Sequence, residues 1–97
     1  MDEPLGKIVR WANRGNLQQF YSELIARLAP HGYEALMEND TITCYRVEKN
    51  GGFLGIGART ERTPVLVLRK VEALVEPDDH PRDEAFLTVL AGLLQDH

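Results

Sequence analysis

The chain has 97 residues, one cysteine and a formal net charge of −4. This length predicts a single domain, 1–97, with one core, and a hydrophobic content of 43% argues against intrinsic disorder. The lone cysteine excludes an internal disulfide. No apolar run approaches the ~20 residues of a membrane span, and the acidic start is unlike a signal peptide. We therefore expect a cytoplasmic protein without a membrane partner.

A short amphipathic helix is predicted first. Apolar residues at i, i+3, i+4 and i+7 spacing indicate a helix over residues 4–13. Gly15 can close this helix in the left-handed conformation, and Asn16 can cap the next one with Gln19 as capping-box partner. The alternative is a continuous helix through Gly15, at a cost of about 1 kcal/mol.

A second helix and a β-hairpin follow. One broad apolar stripe predicts a helix over residues 17–29. Strand-like residues at 33–38 and 41–48 flank Asn39-Asp40, a pair that suits a tight turn. The alternation of the second strand places Ile42 and Cys44 on one face, and Tyr45 and Val47 on the other.

Two further strands are predicted after a turn at residues 49–52. A glycine-weakened strand spans residues 53–60 and a turn spans residues 61–63. Pro64 then opens the most strand-like run of the chain, residues 65–71. Its continuous apolar stretch favours burial on both faces.

A last helix is predicted after a break at residues 77–81, which contain two prolines. Asp79 is the expected N-cap, and Asp83 and Glu84 complement the positive end of the helix dipole. The element order α(α)ββββα predicts an α+β fold, an antiparallel four-stranded meander with the N- and C-terminal helices packed on one face.

Four of the eight glycines lie within residues 51–57. Glycine lets another backbone approach closely, or lets a strand bend, because it has no Cβ. The spacing differs from the dinucleotide-binding fingerprint, and no Gly-Lys-Ser/Thr follows that would make a P-loop. A bent strand beside a neighbouring helix is the structural interpretation of this segment.

The run Gly52-Phe53-Leu54-Gly55-Ile56-Gly57, between a polar stretch and a strand, resembles the signature of the small N-terminal domain of Jag-type RNA-binding proteins. The resemblance implies that Arg59 stands for the basic residue after the turn and that the chain is associated with RNA. It is confined to this segment, since the upstream hairpin and the C-terminal helix have no counterpart in that domain.

Positive charge is concentrated around the same segment. Six basic residues against two acidic ones give residues 46–70 a charge of +4, whereas residues 71–97 carry −6. Together with Tyr45 and Phe53, the basic residues could form a platform for stacked bases and phosphates, or they could be an ordinary solvated face. The candidate RNA-binding residues are Arg46, Lys49, Gly52, Gly55, Gly57, Arg59 and Arg62.

No residue set has the spacing of a catalytic or metal site. The three histidines are isolated, and no His-x-x-x-His or Cys-x-x-Cys pair exists, so we expect neither a metal nor a cofactor. Cys44 lies in mid-strand and is interpreted as a buried, inert thiol. The acidic residues around His80 are interpreted as helix-capping groups, with acid–base catalysis as the alternative.

The leading hypothesis is a non-catalytic protein-interaction or regulatory module that acts through its sheet and glycine-rich loop. Its partner would be another protein or a second copy of the chain, as a homodimer. Trp11 lies beside the stripe of the first helix, where it can pack in the core or anchor a partner. The candidate interaction residues are Trp11, Phe53, Leu54 and Arg59. The alternative is an RNA-binding protein that uses the Gly51–Arg62 loop.

Overall fold

The computed structural model describes residues 3–50 and 59–94. Within these ranges the chain forms three helices and four strands: α1 (Glu3–Ala12), α2 (Leu17–Leu28), β1 (Tyr33–Glu38), β2 (Thr41–Asn50), β3 (Arg59–Val71), β4 (Leu74–Arg82) and α3 (Glu84–Leu93). A 3-10 turn, Ala29–His31, follows α2. The strands pair in chain order as an antiparallel meander with the helices packed against it. The predicted α+β class is confirmed.

The first two helices begin and end within a residue of their predicted bounds. Asn16 caps α2 as expected, because its Oδ1 accepts the Gln19 N–H at 2.7 Å. The prediction that Gly15 adopts the left-handed conformation is wrong, because among the described glycines the positive φ, 81°, is that of Gly32. The chain leaves α1 through Asn13, whose N–H still reaches the Val9 carbonyl at 3.1 Å.

The predicted turn at residues 61–63 is wrong. These residues lie inside β3, which pairs with β2 from Asn50↔Arg59 to Thr41↔Arg69. Continuous pairing along β2 outweighs the local turn preference, and a register shift absorbs the irregularity at Pro64, which has no N–H to donate. The predicted strand at 53–60 is described only at its last two residues, and these begin β3.

The predicted break at residues 77–81 is also wrong, because these residues belong to β4. Prolines are tolerated there since β4 is an edge strand, where an N–H that points away from the sheet has no ladder partner to lose. The N-cap of α3 is therefore Asp83 and not the predicted Asp79. Its Oδ1 accepts the N–H groups of Ala85 at 2.9 Å and Phe86 at 3.3 Å.

The core lies between the helices and one face of the sheet. Ile42 and Cys44 face it from the middle of β2, as their alternation predicts, and Leu66 and Leu68 lie opposite them on β3. Phe86 of α3 is fully buried against this layer. Its ring meets Tyr33 edge to face, with centroids 4.9 Å apart.

Candidate interaction surface

The second face of the sheet is turned away from the helices. Side chains alternate along a strand, so the neighbours of the core-facing residues lie on this other side. We call it the open face. Its members from β1 to β3 are Glu34, Leu36, Glu38, Thr41, Thr43, Tyr45, Val47, Lys49, Thr60, Arg62, Pro64, Val67, Arg69 and Val71.

The middle of the open face is apolar. Leu36, Thr43 and Val67 lie side by side across three strands, and Tyr45 lies opposite Pro64 in the next row. The Leu36 side chain is 53% exposed. A depression beside it is lined by Glu38, Thr43 and Tyr45 among others. Apolar surface with a polar rim is typical of sites where proteins meet other molecules.

A second apolar area lies at the β3–β4 turn. Val71 and Leu74 lie opposite each other and are 45% and 59% exposed. Both share the side of Arg69, because the intervening pair, Lys70 and Val75, has the opposite orientation and Val75 is buried in the core. Arg69 separates this area from the apolar centre around Leu36, so the open face carries two apolar areas.

Charged pairs frame the apolar centre of the open face. The Arg62 Nε lies 2.7 Å from Glu34 Oε2, and this hydrogen bond raises the pKa of Arg62. The Arg69 Nη2 lies 3.0 Å from Asp78 Oδ2. Exposed pairs of this kind add little to stability, so their main effect is to give the rim fixed polarity.

The basic residues proposed for RNA binding do not all share one face within the described chain: Lys49 lies on the face of Arg62, and Arg46 on the other. Arg46 and Arg62 lie on opposite faces of the sheet, since Arg46 is the neighbour of Val47, which lies opposite Arg62. The Arg46 Nη1 contacts Asp83 Oδ2 at 3.2 Å, and its Nε lies 3.0 Å from Glu48 Oε1 in ion-pair contact without hydrogen-bond geometry. Lys49 is exposed near the end of β2.

The glycine-rich segment lies outside the described residues. This applies to Gly52, Gly55 and Gly57, and to the interaction candidates Phe53 and Leu54. Arg59 is described only as the first residue of β3. The roles predicted for these residues stay predictions.

Trp11 is placed in the core, with 9% of its surface exposed. Its ring meets Phe20 edge to face at 4.7 Å, and the Arg27 guanidinium lies 5.5 Å from its centroid. Of the two roles considered for Trp11, its surroundings match packing. Little of the ring is left to anchor a partner.

Cys44 is enclosed in the core, and burial raises the pKa of its thiol to about 12. We therefore expect slow alkylation of Cys44 in the native protein at pH 8, and fast alkylation in denaturant, where the pKa returns to its ordinary value. Mass spectrometry after iodoacetamide treatment measures the alkylation, and rapid labelling of the folded protein would contradict the prediction.

The free energy of unfolding should decline as pH rises from about 9 towards 12, since the thiol of the unfolded chain ionises first.

Sequence reasoning missed the exposed apolar residues of the open face. A signal for Leu36 was present, because Glu34 and Glu38 lie two positions away on either side and mark its face of β1 as polar. For Val71 and Leu74 the strand pairing had to be known. No group of histidine, cysteine and carboxylate side chains suited to a metal ion occurs in residues 3–50 and 59–94.

No family model, curated protein or solved structure matches this chain. Across the part of the chain that the structure describes, every helix is too short or too polar to cross a membrane.

Proposed function

We propose that this chain is a non-catalytic interaction module that binds another protein on the open face of its sheet. The observation that carries the proposal is the exposed apolar centre around Leu36, in register with Thr43 and Val67 and framed by the Glu34–Arg62 ion pair. An apolar centre with a polar rim is the usual anatomy of a protein interface.

The chemistry of the candidate reactive residues supports binding over catalysis. The Cys44 thiol is enclosed, and its raised pKa keeps it protonated near neutral pH. Two of the acidic residues near His80 already have structural partners: Asp83 caps α3, and Asp78 pairs with Arg69. These groups serve the fold, and the open face is left for contact with a partner.

The RNA-binding alternative receives less support from the described residues. A phosphate-binding platform needs cations on one surface. Lys49 and Arg62 share the open face, but Arg46 lies on the other, and both arginines contact carboxylates. The Gly51–Arg62 loop remains its candidate site.

Site-specific crosslinking tests the proposal. A photo-crosslinking amino acid at position 36 should capture a defined protein in cells, whereas the same group at Ser22, exposed on α2, should not. The captured protein is then purified, and its affinity for the chain is measured by titration.

Leu36→Ala should weaken that purified complex by about fivefold or more, as expected for an interface anchor. Ser22→Ala is the matched control and should leave the affinity unchanged. Equal capture from positions 36 and 22, or adducts to RNA alone, would contradict the proposal.

A further inference from the structure

The two edges of the sheet differ in the state of their backbone groups. In an antiparallel pair, residues alternately point their N–H and C=O groups towards the partner strand and away from it. Gly32 lies opposite Val47, and its carbonyl accepts the Val47 N–H at 3.0 Å. By alternation, Tyr33, Ala35 and Met37 point their backbone groups outwards from the free edge of β1.

The β4 edge is closed. The Asn13 side chain pairs with the backbone of Val75 as a strand would, since Oδ1 accepts the Val75 N–H at 2.8 Å and Nδ2 donates to the Val75 carbonyl at 3.1 Å. Pro77, the next residue whose backbone points outwards, has no N–H. A further strand therefore finds no regular ladder on this edge.

The β1 edge contains no proline and carries a partial cover. Among its outward groups, the Ala35 carbonyl accepts the Tyr21 hydroxyl at 3.0 Å. Tyr21 of α2 thus reaches over the edge, and Ile25, one turn further on the same helix face, is 40% exposed although it belongs to the apolar stripe. The helical layer extends to the rim of the sheet, and together with the half-buried Met37 it forms an apolar ledge.

We propose that β1 accepts a fifth strand, donated by an extended segment of the partner protein in which basic residues flank an apolar one at alternate positions. β-Strand addition uses the outward-pointing backbone groups of an edge strand, and the Ala35 carbonyl would here accept the added strand beside the Tyr21 hydroxyl or in its place. On the open face, Glu34 and Glu38 flank Leu36 and would meet the two basic side chains of the added strand, Glu38 as the main contact because Glu34 is already bonded to Arg62. The ledge of Tyr21 and Ile25 would cover its other side.

Charge argues against a second copy as the occupant. Two β1 strands related by a two-fold axis pair residues of the same parity. In the central registers Glu34 then meets Glu34 or Glu38 of the other copy, directly or on the diagonal, and like charges across strands destabilise the pair. This inference rests on the proposed function and specifies how the partner is held.

Two blocked synthetic peptides test the inference, Thr-Lys-Val-Val-Val-Lys-Thr and the same sequence with glutamate for lysine. The lysine peptide should shift the amide resonances of Tyr33, Ala35 and Met37 in an NMR titration and should bind at least about fivefold more tightly than the glutamate peptide. Absence of shifts on β1, equal binding of both peptides, or shifts centred on β4 would overturn the inference.

Charge variants sharpen this test. Glu38→Lys should abolish the preference between the two peptides, because one glutamate and one lysine then flank Leu36, whereas Glu72→Lys, the same charge change in the β3–β4 turn, should leave it unchanged. Met37→Pro removes an outward N–H at no cost to the internal ladder and should abolish the β1 shifts. If the natural partner is lost on Leu36→Ala but bound normally by both Glu38→Lys and a folded Met37→Pro, the open-face proposal stands and the fifth strand is wrong.

Discussion

Replacing Phe86 by alanine is expected to lower the free energy of unfolding by about 3–5 kcal/mol, the range for truncating a buried aromatic side chain. Phe86 is fully buried, and its ring packs edge to face on Tyr33 at 4.9 Å. It therefore couples α3 to β1, the first strand of the sheet. The cavity left by alanine would lie between these two elements, where neither can collapse without disturbing the other.

Urea unfolding followed by circular dichroism measures the effect. Leu36→Ala is the matched control, and it should cost only about 0.5 kcal/mol, since much of that side chain already contacts water. If Phe86→Ala does not fold, Phe86→Leu should show an intermediate loss. Equal destabilisation by the Phe86 and Leu36 variants would contradict the assignment of the core face and the open face.

Replacing Asn13 by alanine should lower the free energy of unfolding by about 1–3 kcal/mol, because it leaves backbone groups of β4 without partners. The Asn13 amide makes two hydrogen bonds to Val75, and its Nδ2 also lies 3.0 Å from the Val9 carbonyl. One side chain thus joins the end of α1 to an edge strand far away in the sequence. Hydrogen exchange offers a local readout: the Val75 amide should exchange faster in the variant.

Gln18→Ala is the control for Asn13→Ala, since Gln18 is an exposed polar residue near the same helix junction. It should change neither stability nor the exchange of Val75. Unchanged protection of Val75 in Asn13→Ala would show that this hydrogen-bond pair does not hold the edge. The same variant also leaves the N–H and C=O of Val75 without these partners, so we expect it to make the β4 edge more available for strand pairing.

The helices and the first hairpin could be predicted from local patterns. In α2, the apolar stripe and the Asn16 cap are both local signals, and both are confirmed. The alternation of β2 likewise predicted that Ile42 and Cys44 share one face of the sheet and that Tyr45 and Val47 share the other. These features need only neighbours within a turn of helix or along one strand, so they can be read from a short stretch of chain.

The last strand and the site could not be predicted in this way. Pro77 and Pro81 are local signals against a strand, and they are overruled because β4 lies at an edge. Because β4 extends to Arg82, the N-cap of α3 is Asp83 and not Asp79. For the open face, the decisive facts are the register that sets Leu36 beside Thr43 and the pairing that brings Leu74 opposite Val71.

The amino-acid sequence by itself determined the α+β class, the first two helices and the shared face of Ile42 and Cys44, because these depend on periodicity and on side-chain caps close in the chain. Only the tertiary structure decided that Trp11 packs in the core, that Asn13 closes the β4 edge and that Tyr21 covers only part of the β1 edge. These three features depend on contacts between residues distant in sequence. Such contacts form only when the helices pack on the sheet.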